Sequence, residues 1–208
     1  MTIDAVIFDH DGTLVDSETI TLSLLAEMAV EHGAEVYEDD VDRFVGADLK
    51  VVFAEIEARR GSPLPADFID VFRARQAERI HNGLEEIAGA GHLLTTLTLP
   101  TAVASNAPVA KMQLCLGATG LDRHFAPQEL VSAYDVGEWK PAPGVFLAAA
   151  EVLQTPPQRC AVVEDSEPGI QAGLAAGMTV FAYDPSDRFG AIDGITRLSA
   201  LSELLEHL

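Results

Sequence analysis

Two aspartates stand two residues apart in Phe8-Asp9-His10-Asp11-Gly12-Thr13-Leu14-Val15-Asp16, directly after the apolar run Ile3 to Phe8. Carboxylates held this close repel each other, so a cation or a shared proton must settle the site. Hard oxygen donors suit Mg²⁺, which keeps several waters and works alongside substrate phosphates. Gly12 lets backbone approach a ligand closely, and Thr13 adds a hydroxyl. A plain Asp-Gly turn after a strand would use the same residues, and a short motif alone does not separate the two.

Three other places carry suitable groups. Glu164-Asp165-Ser166 follows another apolar run, Cys160 to Val163, and two such strand ends can converge on one cation. The plainer use of Asp165 or Ser166 is to cap the following helix. Ala104-Ser105-Asn106-Ala107 offers a hydroxyl and backbone N–H groups to a phosphate, or an ordinary cap before the helix at Pro108. Lys140, in Trp139-Lys140-Pro141, is one of only three lysines and taken alone reads as a solvated charge.

These residues need elements to place them. Short apolar runs at Ile3 to Phe8, Thr101 to Ala104, Leu130 to Ser132, Cys160 to Val163 and Thr179 to Ala182 alternate with stretches of helical spacing or turn residues. That rhythm predicts an α/β fold with a parallel sheet covered on both faces. Catalytic groups would then sit at the carboxyl ends of strands, where ligand sites of open α/β sheets form. Between the first two strands the rhythm breaks, and the spacing predicts helices over Ser17 to His32, Glu38 to Val45, Asp48 to Arg60 and Ala66 to His81. A helical module is therefore expected over residues 16–87, inserted into a core made of residues 1–15 and 88–208.

Composition sets outer bounds. The 208 residues hold 33 acidic and 13 basic side chains, a formal net charge of -20, with 48% hydrophobic residues. Enough apolar side chains are present for a compact core, so the acidity is not a signature of disorder. Nucleic acid and anionic membrane surfaces are poor partners for so few cations. No apolar stretch reaches the length of a membrane span, and the few residues before Asp9 leave no room for a signal segment, so none is expected. Two separated cysteines, Cys115 and Cys160, fit a reducing compartment, so a cytoplasmic protein is expected.

Asp9/Asp11, Ser105, Lys140 and Glu164/Asp165, in this order along an alternating α/β chain, resemble the four motifs of the haloacid dehalogenase superfamily. Residues from Asp16 to about Ala88 resemble the helical cap of the subclass that contains β-phosphoglucomutase. His81 to Ala90, Ser105 to Gln113 and Ser132 to Pro141 are similar to its bacterial 6-phosphogluconate phosphatase branch. The resemblance implies a Rossmann-like core and a Mg²⁺-dependent phosphohydrolase acting on a small phosphorylated metabolite. It implies Asp9 as nucleophile and Asp11 as acid and then base. Asp9, Asp11 through its main chain, Asp165 and Glu164 would serve the metal, and Thr13, Ser105, Asn106 and Lys140 would surround the phosphoryl oxygens. His10 receives no role. Thr21 stands where the mutases carry a histidine, which argues for a phosphatase, and the dehalogenases lack a counterpart of Asp11. A phosphosugar mutase and, further off, a non-catalytic metabolite-binding module are the alternatives.

Substrate choice is expected in the cap, whose cations are Arg43, Lys50, Arg59, Arg60, Arg73, Arg75 and Arg79. Lys50 and Arg73, with Lys111 from the core, are the candidates to meet a substrate carboxylate. Pairing with nearby acids on helix surfaces is the simpler fate of any one of them. Oligomeric state is left open.

Overall fold

A computed structural model describes residues 2–36, 49–190 and 192–208. In chain order its described strands and α-helices are β1 (Ala5–Phe8), α1 (Ser17–Glu31), α2 (Leu49–Arg60), α3 (Phe68–Gly83), α4 (Ala90–Thr96), β2 (Thr101–Ser105), α5 (Val109–Thr119), β3 (Leu130–Ser132), α6 (Ala133–Val136), α7 (Gly144–Val152), β4 (Cys160–Glu164), α8 (Glu167–Ala175), β5 (Thr179–Tyr183) and β6 (Ile195–Leu198). They fall into two compact units, Met1–Asp16 with Glu85–Leu208, and Ser17–Leu84.

The first unit is built on a six-stranded sheet of order β3-β2-β1-β4-β5-β6, and every pairing is parallel. All five residues of β4 and all four of β1 are buried. That is why these strands read as unbroken apolar runs rather than as alternating ones. Ile7, Ala104, Val162 and Val180 pack with Val145, Phe146 and Ala149 of α7 and with Ile170 and Ala172 of α8. Val6 and Phe8, also fully buried, point to the opposite face because side chains alternate across a strand. Both faces of β1 are therefore covered. Its two neighbours, β2 and β4, continue the sheet in opposite directions, so the order reverses beside β1. In open α/β sheets, ligands bind outside the carboxyl ends of strands at such a reversal.

The sequence did not announce β6. Ile195, Thr196 and Arg197 are only partly buried or exposed, so the edge strand lacks the apolar run that marks the others. Its register is clear in the pairing of Phe181 with Thr196 and Tyr183 with Leu198.

In the second unit, Leu24, Leu25 and Met28 of α1 pack with Val52 and Ile56 of α2 and Phe68 and Phe72 of α3. Phe53 meets Phe68 and Phe72 edge-on, with ring centres 5.5 and 5.9 Å apart, the arrangement aromatic quadrupoles prefer. The helix expected over Glu38 to Val45, and Arg43 with it, lies outside the described residues. Three arginines pair with acids within this unit: Arg59 with Glu55, Arg75 with Glu31 and Arg79 with Glu27. Solvent-accessible pairs of this kind contribute about 0–1 kcal/mol each, so the apolar core holds the unit together. Among the described residues no helix is long and apolar enough to cross a membrane.

Candidate active site

Pairing Phe8 with Val163 sets the ends of β1 and β4 side by side, and the Asp9 N–H donates to the Val163 carbonyl at 2.9 Å. Asp9 and Glu164 thereby leave the sheet as neighbours. Lys140 enters from the loop after α6, and its ammonium donates to Asp9 Oδ1 at 2.5 Å and to Glu164 Oε1 at 2.8 Å. The Lys140 side chain is only 3% exposed, so the lone lysine that reads as a surface charge is in fact buried between two carboxylates. Burial works against its charge, but Asp9 and Glu164 outweigh burial and hold the ammonium far above its ordinary pKa.

Glu164 is fully committed. Its second oxygen accepts from the Ser166 N–H at 2.7 Å and from the Ser166 hydroxyl at 2.8 Å. Gly169 makes room for it, since a Cβ there would stand 1.7 Å from Glu164 Oε1. Of the two capping candidates, Ser166 caps α8, accepting from the Gly169 N–H at 3.2 Å. Asp165 instead accepts from the fully buried Thr13 hydroxyl at 3.1 Å, and its carboxylate lies against Gly12. A Cβ on Gly12 would stand 2.3 Å from Asp165 Oδ2, and the glycine's φ is +86°.

Asp11 lies beside this cluster, its side chain 29% exposed. Lys111 Nζ donates to Asp11 Oδ1 at 2.8 Å, and His10 Nδ1 stands 3.2 Å from the same oxygen. His10 is fully buried, and neither ring nitrogen makes a hydrogen bond among the described residues. Burial opposes charge on His10, yet the Asp11 carboxylate outweighs it and pushes the imidazole up to about 9. Burial likewise raises Asp11, but His10 and Lys111 prevail and hold it well below the usual carboxylate range.

The remaining candidates divide between the units. Ser105 is buried at the end of β2, and its hydroxyl oxygen accepts from the Ala107 N–H at 3.0 Å. Asn106 Oδ1 accepts from the Lys140 N–H at 3.0 Å, so it ties the β2 loop to the lysine loop. Pro108, with no side-chain bond, is the N-cap of α5, and neither Ser105 nor Asn106 caps that helix. Arg73 is exposed on α3 in the second unit. Lys50 lies in α2, and its side chain is outside the described residues.

Sequence reasoning passed over several supports. Ser132 pairs with Ser105 across β2 and β3 and donates to the Ala107 carbonyl at 2.8 Å, fixing the loop from below. A polar residue ending a predicted core strand was the available signal. Arg188 donates to the Asp165 carbonyl at 2.9 Å, and no sequence pattern joins those two positions.

The donor set fits a small hard cation. Burial, then the Glu164 and Asp9 charges, raise Asp165 well above its ordinary range. Asp9 is pushed up to about 6, chiefly by burial, with Lys140 opposing and Glu164 and Asp11 adding to the rise. A cation beside Asp9 and Asp165 would remove that repulsion. Among the described residues no three His, Cys, Asp or Glu side chains form a closed cage. Mg²⁺ asks for less, because one or two carboxylates with waters and substrate oxygens suffice.

The parallel sheet thus carries two aspartates after β1, a buried lysine from a later loop and an acidic pair at the end of β4, all gathered at the carboxyl ends of strands where α/β enzymes place their sites. The sequence pattern of haloacid dehalogenase-like hydrolases matches residues 6–183, and the chain belongs to that family. It is 37% identical over 208 residues to 6-phosphogluconate phosphatase of Escherichia coli, covering 98% of this chain and 94% of that one. A haloacid dehalogenase-like protein of unknown function from Agrobacterium tumefaciens superposes with a TM-score of 0.84 at 31% identity, covering 99% and 97% of the two chains. A family hydrolase from Deinococcus radiodurans, solved with bound phosphate and sodium, superposes at 0.79 with 28% identity, covering 97% and 93%.

Proposed function

We propose that this chain is a Mg²⁺-dependent phosphatase of small phosphorylated metabolites, namely sugar or sugar-acid phosphates, with 6-phosphogluconate the foremost candidate. The observation that carries this is the placement of Asp9, a strand-end carboxylate paired at 2.5 Å with buried Lys140, with a second carboxylate, Asp11, two residues on. The phosphatase relative supports the same chemistry.

Asp9 attacks phosphorus, so a P–O bond to Asp9 forms while the P–O bond to the alcohol breaks. Asp11 gives that alcohol its proton. Water then bonds to phosphorus, its proton returns to Asp11, and Asp9 leaves as a carboxylate. Covalent catalysis splits the displacement into two steps, so one group can act as acid in the first and as base in the second. The resting carboxylate form of Asp11 suits the second role. For the first, the monoanionic form of a phosphomonoester, whose second pKa is about 6, brings a proton that passes to Asp11, and the proton Asp11 later takes from water leaves with the product phosphate, so the resting carboxylate is restored. Lys140, Ser105 and the backbone N–H groups beyond it hold and neutralise the phosphoryl oxygens, which is most of what phosphoryl transfer requires. Asp9, the Asp11 carbonyl and Asp165 would hold Mg²⁺, with Glu164 acting indirectly through Lys140. When bound, the ion offsets negative charge on the phosphoryl group and on the carboxylates.

Residues 16–87 serve as the cap, and its cations, with Lys50 and Arg73 foremost, choose the alcohol. A mutase would pass the same phosphoryl group to a sugar. Against it, the Thr21 hydroxyl is engaged within its own unit, donating to the Ser17 carbonyl at 2.8 Å and accepting from Gln76 at 2.7 Å. Two buried free thiols, Cys115 and Cys160, suit action in a reducing cytoplasm.

A panel of phosphorylated sugars and sugar acids, incubated with purified protein and Mg²⁺, tests the assignment. Inorganic phosphate is expected and should vanish on chelation of the metal. Interconversion of sugar phosphate isomers primed by a bisphosphate, without phosphate release, would overturn it.

A further inference from the structure

Lys111 is a hundred residues from Asp11 in sequence, yet its ammonium donates to Asp11 Oδ1 at 2.8 Å. Its base is firm, because Met112, Cys115 and Leu116 on the same helix, α5, are fully buried. From the other chain direction His10, locked between Asp9 and Asp11 and fully buried, brings Nδ1 to 3.2 Å of the same oxygen. Lys111 from α5 and buried His10 from the loop after β1 thus converge on one oxygen of the residue that must meet the attacking water. Catalytic side chains need such bracing, since small misplacements cost large factors in rate.

We propose that Lys111 is a positioning residue for Asp11, holding its carboxylate, with His10 behind it, where it receives the proton of the water that hydrolyses phosphorylated Asp9. This rests on the hydrolase assignment above and adds which half of the reaction Lys111 serves. In that half the water oxygen bonds to phosphorus, the bond from phosphorus to the Asp9 oxygen breaks, and the water proton passes to Asp11. Lys111 transfers nothing itself.

p-Nitrophenyl phosphate separates the two halves, because nitrophenolate departs without an acid and only hydrolysis of the phosphoenzyme then depends on Asp11. With full-length Lys111→Met and Mg²⁺, rapid mixing should show a burst of nitrophenolate comparable to the enzyme concentration. The following steady state should be about tenfold or more slower than wild type, part of the roughly 10²–10⁴-fold that a general base contributes, because Asp11 itself remains. Phosphorylated Asp9 should accumulate in quenched samples, and Lys111→Arg, which keeps a cation, should restore part of the steady-state rate. A uniform fall in burst and steady state would overturn the inference. So would unaltered kinetics on this substrate with a raised KM confined to esters whose alcohol bears a carboxylate, for Lys111 would then be a substrate contact. A wild-type protein that releases phosphate from no monoester would instead overturn the hydrolase assignment, and this inference with it.

Discussion

Asp9 is buried and Asp165 half-buried beside it, so their charges together favour a nearby cation. Lys140 supplies one charge, and its second partner, Glu164, spends part of it. The residue most sensitive to this arrangement is Gly12, which has no carboxylate at all. Its positive φ and the 2.3 Å left for a Cβ before Asp165 Oδ2 mean that Gly12→Ala must displace Asp165. Such backbone strain costs about 1–3 kcal/mol. Isothermal calorimetry should show Gly12→Ala binding Mg²⁺ about 10–100-fold more weakly, the range by which misaligned metal-site supports act. Asp165→Asn should weaken Mg²⁺ in the same direction, and an unaltered affinity in both would remove Asp165 from the metal site. At this scale the sequence was informative where the chemistry is local. Asp9, Asp11 and Gly12 are neighbours in the chain, so their joint use is written in one motif. The contacts of Lys140 with Asp9 and of Lys111 with Asp11 span 131 and 100 residues. The order of motifs brings Lys140 to the site, but nothing in it tells that Lys111 meets Asp11 or that Glu164 is occupied by Lys140 and Ser166.

Secondary-structure elements were legible in proportion to their burial. β1 and β4 are buried throughout and show as apolar runs, whereas β6 is a partly exposed edge and shows no pattern. The turn after β5 was equally silent, although Asp184 organises it. The buried Asp184 carboxylate accepts from the Arg188 N–H at 2.8 Å and the Phe189 N–H at 2.9 Å. Burial raises this carboxyl, but the two N–H groups and Arg188 outweigh it, and its pKa lies below the ordinary value. A lowered carboxyl contributes stability that is full above the unfolded pKa of about 3.9 and is lost as pH falls through the folded value. Asp184→Asn should therefore destabilise the protein by about 1.5–3 kcal/mol at pH 7 in urea denaturation, the worth of hydrogen bonds to a charged group. The difference from wild type should narrow as pH drops below that of the unfolded carboxyl. In the helical unit Phe72 is 1% exposed and meets Phe53 edge-on. Phe72→Ala should cost about 3–5 kcal/mol, read by the same denaturation.

For the molecule as a whole, the net charge of -20 sets a problem that a phosphatase must solve, because its substrate is also an anion. The field of the whole protein disfavours phosphate, while the local charge at the site is set by Lys140 and, in the function proposed above, would be completed by Mg²⁺. Metal and phosphate should therefore bind cooperatively. Inorganic phosphate affinity should rise about 5- to 150-fold with saturating Mg²⁺, and Mg²⁺ affinity by the same factor with phosphate, since coupling between sites is reciprocal. Calorimetric titrations in both orders check this, and independent binding would contradict it. In the mechanism proposed above, phosphate leaves its ester by passing through Asp9. Rapid quenching of a turning-over mixture with Mg²⁺, followed by peptide mass spectrometry, should find a phosphoryl group on Asp9, with both the label and phosphate release lost in Asp9→Asn. Turnover in which Asp9 is never phosphorylated, continuing undiminished in Asp9→Asn, would contradict it.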